Sequence, residues 1–124
     1  MGDLNYRIDE AMSTEEVLNL SQKGALDRLW RNDQLNIERA EGRCFQGWEE
    51  GQLNFLPTYK YQPGTDFYDQ RPEKKLRAPA WCDRVLWVTQ EPSFLKQLNY
   101  TRSELNVSDH KPVMSTFAAT IKDV

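Results

Sequence analysis

Apolar and polar residues alternate at the start of the chain, where Leu4, Tyr6 and Ile8 are separated by single polar residues. A period of two is typical of a half-buried β-strand and predicts a strand over residues 2–8. Chain ends usually fray, whereas this strand begins at the second residue. We therefore expect the chain to be a piece of a longer protein.

Helical spacing then replaces the alternation and predicts three short helices. Ser13 and Glu16 have the spacing of a capping box, and Gly24 can end the first helix or begin the next one. Asp33 can cap a third helix that ends at Gly42. The apolar residues of the second helix lie on one face: Leu26, Leu29 and Trp30.

The second half of the chain has the patterns of extended structure. Residues 45–61 are rich in aromatic side chains, and residues 62–75 form a polar loop with two prolines and one glycine. Strands are predicted over residues 83–88 and 113–121, and residues 96–102 could form another. Because helices come first and strands follow, the pattern predicts a mixed fold, α/β or α+β, in which helices cover a sheet.

Composition indicates a folded, water-soluble domain, with 124 residues of which 39% are hydrophobic and 28% charged. The net charge of −3 argues against a protein that binds long nucleic acids. Basic residues nevertheless cluster between residues 60 and 84, and such a local cationic site suits a small, highly charged anion. The two cysteines form no disulfide framework and no secretory signal is evident, so we expect a cytoplasmic protein.

The chain contains one histidine, His110, in the stretch "SDHKPV". The stretch could be a surface turn, or His110 could be catalytic, since histidine carries proton chemistry at neutral pH more often than other side chains. Asp83 opens a predicted apolar strand, and a carboxylate there could hold the imidazole by a hydrogen bond. Asp83 could equally form a surface ion pair with Arg84.

Two further stretches have the residue types of a phosphate site. Asp3 and Asn5 lie on the same face of the first predicted strand, where one could position a water and the other could donate to an anion. In "PTYKY", residues 57–61, two tyrosines flank Lys60 and could grip a phosphate with it. The alternatives are a polar pair at a strand edge and an exposed amphipathic loop.

Four stretches in this order resemble the inositol polyphosphate 5-phosphatases: "GDLNYRI", "PTYKY", "RAPAWCDRVLW" and "SDHKPV". The likeness is greatest to the oculocerebrorenal, type II subgroup, and it extends from residue 2 to about residue 120. The resemblance implies a fold like that of DNase I, with two packed sheets flanked by helices. It also implies magnesium-dependent hydrolysis of the 5-phosphate of phosphoinositides or soluble inositol phosphates, by direct attack of water.

The resemblance also assigns roles to individual residues. Asp3 would orient or deprotonate the attacking water, and Asn5 would hydrogen-bond the scissile phosphate. His110 would stabilise the developing charge of that phosphate, Asp83 would hold His110, and Asp109 would lie near the metal through a water. Four residues would bind the neighbouring phosphate of the substrate: Tyr59, Lys60, Lys75 and Arg77.

The resemblance covers only the C-terminal portion of the family's catalytic domain, so residues 1–124 would be that portion. The principal Mg²⁺ ligands would then lie in an N-terminal half. Arg84 would either bind substrate or form an ion pair that supports the sheet.

Three functions stay open. The first is a phosphoinositide phosphatase with peripheral membrane contact and no nucleic acid. The others are an incomplete fragment that binds lipid headgroups or a partner, and a magnesium-dependent nuclease of the same fold.

Overall fold

The structure is a computed structural model that describes residues 2–121. The α-helices of this part of the chain come early: α1 (Thr14–Lys23), α2 (Leu26–Arg31) and α3 (Gln34–Ala40). Its strands pair in two antiparallel sheets: β1 (Gly2–Asp3) with β2 (Asp83–Arg84), and β3 (Leu95–Arg102) with β4 (Val113–Ala119). A 3₁₀ turn at Pro92–Phe94 leads into β3. The predicted mixture of early helices and later strands is confirmed.

Local capping explains why the helices form where they do. The Ser13 hydroxyl accepts a hydrogen bond from the backbone N–H of Glu16 at 3.1 Å, as the capping-box spacing predicts. Gly24 ends α1 in the left-handed conformation, with φ of 73°, which glycine adopts at little cost. The Asp33 carboxylate accepts from the N–H of Asn36 at 3.0 Å and caps α3.

The long β-ribbon of β3 and β4 confirms two of the predicted strands. Leu95 lies opposite Ala119 and Arg102 lies opposite Val113, with an irregularity between Gln97 and Asn99. The predicted last strand is slightly too long, because Thr120 and Ile121 lie outside β4.

The strands predicted over residues 2–8 and 83–88 are wrong in length, since only two residues of each form a ladder. Asn5 has φ of 57°, a left-handed conformation that a strand cannot contain, so β1 stops before it. Beyond β2, Trp87 exchanges two backbone hydrogen bonds with Glu49, at 2.7 and 2.9 Å, as an isolated bridge. Alternation of side chains is therefore present, but continuous strand pairing is not.

An apolar core anchors the segment that leads into β2. Trp81 is fully buried among side chains that include Val17, Leu29 and Phe55. Its indole N–H donates to the carbonyl of Phe55 at 2.9 Å, so the ring is satisfied as well as buried. This packing sets the position of the chain two residues before Asp83.

A buried ion network anchors β2 from the other side. The Arg84 guanidinium donates to Asp33 at 2.8 Å and to Glu50 at 2.7 Å, and these three side chains are at most 2% exposed. The Tyr100 hydroxyl donates to the same Glu50 carboxylate at 2.7 Å. Although burial opposes the charged guanidinium, hydrogen bonds with Glu50 and the charge of Asp33 raise the pKa of Arg84. The network ties β2 to the start of α3 and to β3.

Candidate active site

The pairing of β1 with β2 brings two predicted site residues together. Asp3 lies directly opposite Asp83 in the ladder. The next two N–H groups, those of Leu4 and Asn5, both donate to the carbonyl of Cys82, at 2.9 and 3.2 Å. Asp3 and Asp83 are therefore neighbours across this small sheet, with Asn5 just beyond β1, although about 80 residues of sequence separate Asp3 and Asn5 from Asp83.

His110 completes this group, as the sequence predicts. Its Nδ1 lies 2.5 Å from the Asp83 carboxylate, and the two side chains are 30% and 21% exposed. A carboxylate can only accept in this contact, so Nδ1 carries a proton and Nε2 is the nitrogen that can face a substrate. The alternative of an Asp83–Arg84 surface pair is excluded, because Arg84 is buried with other partners.

Asp3, Asp83 and His110 could together hold a cation. Each offers one ligand atom, and these atoms all lie within 4.8 Å of one another. Asp109, the residue predicted near the metal, does not belong to this group among residues 2–121. Its carboxylate accepts from the Ser108 hydroxyl at 3.3 Å instead. The role of Asp109 near a metal, through a water, therefore stays a prediction.

Backbone hydrogen bonds join the "PTYKY" stretch to the histidine loop. The N–H of Tyr61 donates to the carbonyl of Asp109, and the N–H of Lys111 donates to that of Thr58, both at 2.9 Å. The Tyr59 ring consequently lies 4.7 Å from the His110 ring, measured between centroids. Tyr59 is only 8% exposed, so its ring is part of the wall of the site.

The predicted phosphate-binding cations occupy different surroundings. The Lys60 ammonium lies 3.7 Å from the buried Asp69 carboxylate. Hydrogen bonds from Arg71 hold the pKa of Asp69 well below its usual value, so Asp69 stays ionised beside Lys60. Lys75 and Arg77 are exposed and line a cavity of about 400 Å³ whose lining does not include Asp3, Asp83 or His110.

The prediction that Arg84 binds substrate is corrected by its burial. Its side chain has no exposed surface, and both sides of the guanidinium are used by Asp33 and Glu50. The ion-pair alternative is the one that the structure supports, with partners that sequence spacing did not indicate.

Sequence reasoning missed one residue that touches the site. The Arg7 guanidinium donates to the Asn5 side-chain oxygen at 2.6 Å and lies 4.6 Å from the centre of the Tyr59 ring. The sequence held a signal for Arg7, because it lies on the same face of the predicted strand as Asp3 and Asn5.

Within residues 2–121, no helix is long and apolar enough to cross a membrane.

Comparison with known proteins identifies the family that the sequence matches. The sequence matches the model of the endonuclease/exonuclease/phosphatase family 2 over residues 1–116. The type I inositol polyphosphate 5-phosphatase 5 of Arabidopsis thaliana is 45% identical over 98% of this chain. The chain spans only 22% of that relative. Because this relative is of type I, the type II subgroup stays a prediction.

Two solved structures resemble the fold closely. The inositol polyphosphate 5-phosphatase domain of a synaptojanin, in complex with inositol (1,4)-bisphosphate and calcium, has a TM-score of 0.84 and 38% identity; the match covers 94% of this chain and 32% of that one. A Cimex nitrophorin in a ferrous NO complex has a TM-score of 0.83 and 33% identity, over 97% and 40% of the two chains. The predicted DNase I-like class is thereby confirmed. The chain belongs to the endonuclease/exonuclease/phosphatase family 2, and the relatives it resembles include inositol polyphosphate 5-phosphatases.

Proposed function

We propose that this chain forms part of a metal-dependent phosphatase that hydrolyses the 5-phosphate of phosphoinositides or soluble inositol polyphosphates. The observation that carries the proposal is the Asp83–His110 contact of 2.5 Å, with Asp3 directly opposite Asp83 in the ladder. A fold match alone would not suffice, because a nitrophorin shares the fold. The chemistry therefore has to come from the side chains of the site.

The dyad suits a reaction in which negative charge grows on a phosphate. Asp83 accepts the Nδ1 proton of His110 and so orients the ring. An imidazole that carries a proton on Nε2 as well can donate to a phosphate oxygen and stabilise the charge that develops there. The side chain is 30% exposed, so a ligand can reach it.

Direct hydrolysis also requires a group that activates the water and a group that binds the scissile phosphate, and Asp3 and Asn5 can fill these two roles. The Asp3 carboxylate lies beside the dyad and can orient or deprotonate the attacking water. Asn5 can donate its side-chain amide to the scissile phosphate. No nucleophilic side chain is required in this scheme. Burial raises the pKa of the neighbouring Cys82 thiol to about 12, so this thiol is a poor nucleophile at neutral pH.

The donor set also fits a divalent cation. Asp3 and Asp83 offer carboxylate oxygens, which hard cations such as Mg²⁺ prefer, and Mg²⁺ usually keeps several waters and substrate oxygens besides one or two carboxylates. When bound, the cation would neutralise phosphate charge. We infer magnesium as the physiological ion and Asp3 as the ligand that this chain contributes most directly.

The cationic side chains favour an inositol phosphate over a nucleic acid. Lys60, Lys75 and Arg77 supply local positive charge on a chain whose net charge is −3. A duplex would need a broad basic face, whereas a small polyanion needs only a few cations. Peripheral membrane contact and a cytoplasmic location remain predictions of the same proposal.

Release of phosphate from a soluble 5-phosphorylated inositol phosphate, with saturating magnesium, tests the proposal. His110→Ala and Asp83→Asn should each lower kcat by roughly 10²–10⁴. The double variant should be little worse than His110→Ala, because residues that act as one unit are not additive. Multiplying losses would show that Asp83 does not act through His110. Binding of the inositol phosphate without any hydrolysis would instead favour the incomplete, ligand-binding fragment.

A further inference from the structure

We propose that Arg7 is a positioning residue of this site, which sets the direction of the Asn5 amide and holds the Tyr59 ring against His110. The inference rests on the proposed function, since it concerns the side chains that would bind the phosphate of the substrate. Arg7 lies between the "GDLN" stretch and the aromatic wall, and it contacts both.

The contact with Asn5 determines which end of the amide faces the ligand. Arginine has donors only, so the atom of Asn5 that lies 2.6 Å from the Arg7 guanidinium must be the carbonyl oxygen. The NH₂ group then points away from Arg7 and is available as a donor to an anion. An amide torsion without such a partner is broad and nearly two-fold, so it would present oxygen as readily as nitrogen.

The backbone of Asn5 supports the same arrangement. Asn5 adopts a left-handed φ of 57°, and its N–H donates to the Asp3 carboxylate at 2.9 Å. This local turn brings the Asn5 side chain beside Arg7, and it leaves the torsions of the side chain as the remaining freedom. Arg7 removes that freedom before any ligand arrives, which is what preorganisation of a donor requires.

The second contact connects Arg7 to the histidine. Its guanidinium carbon lies 4.6 Å from the centre of the Tyr59 ring, within the range of a cation–π interaction. The Tyr59 ring in turn lies 4.7 Å from the His110 ring, at an angle of 44°. A shift of Arg7 would therefore be transmitted to the ring that packs on His110.

Arg7 is itself held by the fold. Its N–H donates to the side-chain oxygen of Gln34 at 3.0 Å, and its carbonyl accepts from the N–H of Gln34 at 2.8 Å. Gln34 is the first residue of α3, which Asp33 caps. The position of Arg7 is thus set by the start of a helix and does not depend on a ligand.

The charge of Arg7 distinguishes it from arginines that serve stability alone. Arg84 and Arg102 each form ion pairs with carboxylates. Arg7 has no carboxylate within 4.0 Å among residues 2–121, and it lines the cavity that also contains Lys75 and Arg77. Its positive charge consequently adds to the field that an anionic ligand meets.

Nuclear magnetic resonance of the labelled chain tests the positioning directly, because the single histidine gives a single ring Cε1–Hε1 signal. Inorganic phosphate serves as the probe. In the wild type, phosphate should shift the Asn5 side-chain NH₂ signals and the His110 signal. Arg7→Met should move the His110 signal before phosphate is added and should abolish the Asn5 response. Arg7→Lys keeps the charge without the planar fork, so it should restore the Asn5 response only in part.

Arg28→Met is the matched control, since Arg28 is an exposed arginine of α2 that pairs with Glu16 at 2.8 Å. It should change neither signal. An unchanged His110 signal in Arg7→Met, an equal Asn5 response in both proteins, or no Asn5 response in the wild type would each overturn the inference. If Arg7→Met does not fold, Arg7→Lys decides the question in the same spectra.

Kinetics separates positioning from substrate binding. With the soluble inositol phosphate as substrate, Arg7→Met should lower kcat by about 100-fold and leave KM nearly unchanged, since misplaced groups impair the reaction more than binding. A rise in KM at unchanged kcat would make Arg7 a substrate-binding residue and refute the positioning role. Absence of hydrolysis by the wild type would count against the proposed function only, because the spectra judge Arg7 independently.

Discussion

The buried network around Arg84 offers the sharpest test of how the site is supported. Arg84→Met removes the guanidinium and keeps much of its apolar stem, so the loss reports mainly on the charge. Asp33 and Glu50 would then be left as carboxylates whose side chains are at most 2% exposed. Removing one partner of a buried ion pair typically costs about 3–5 kcal/mol, because a charge remains without compensation.

Loss of the hydrogen bonds explains why we expect the full cost. Arg84 donates twice to Asp33, at 2.8 and 2.9 Å, and twice to Glu50, at 2.7 Å each. A single domain is stable by only about 5–15 kcal/mol in total. Arg84→Met should therefore remove a large share of the free energy of unfolding, which urea titration followed by tryptophan fluorescence would measure.

Two controls separate buried charge from lost packing. Adding Asp33→Asn and Glu50→Gln to Arg84→Met removes the stranded charges. An asparagine in place of Asp33 can still cap α3, so about 1–3 kcal/mol should return. Arg28→Met breaks an exposed pair with Glu16 and should cost less than about 1 kcal/mol. The reasoning is refuted if Arg84→Met costs no more than Arg28→Met, or if the triple variant is less stable than Arg84→Met alone.

Three further outcomes follow from individual side chains. In a complete enzyme, Lys60→Ala should raise KM for a 4,5-bisphosphate roughly ten- to a hundred-fold more than for a substrate without the 4-phosphate, the effect of a lost charged hydrogen bond; equal changes would remove Lys60 from the phosphate site. Because burial raises the pKa of Cys82 to about 12, a disulfide reagent at pH 8 should label one thiol of the native protein, the partly exposed Cys44, and two thiols after denaturation. Arg71 lowers the pKa of Asp69, so the stability that this carboxylate contributes is present above about pH 4 and is lost as the pH falls below that value. Asp69→Asn should therefore lower the urea midpoint at pH 7 and lessen its decline between pH 5 and pH 2; an unchanged decline would argue against the assignment.

Local rules sufficed for the helices, and the sequence also supplied the candidate site residues. The caps at Ser13 and Asp33 and the glycine that ends α1 depend on hydrogen bonds that reach only three or four residues, so a short window of sequence contains all their partners. The same holds for the local patterns that predict β3 and β4. The resemblance of four short stretches to a phosphatase family likewise required no coordinates.

Long-range pairing decided the rest. The length of β1 depends on a backbone turn at Asn5 and on a partner strand 80 residues away, neither of which alternation can register. Arg84 pairs with Asp33 and Glu50, which are 51 and 34 residues distant in sequence. A buried guanidinium is costly unless carboxylates pair with it, and only the tertiary fold determines which carboxylates lie close enough.

The site shows the same division. Residue types and short motifs in the sequence identified four candidates: Asp3, Asp83, Asp109 and His110. Only packing determined that the first three converge within 4.8 Å while Asp109 lies outside that group among the described residues. The sequence specifies the type of each side chain. The distance between residues that are remote in sequence depends on which strands pair and which charges are buried together, and these are properties of the whole fold.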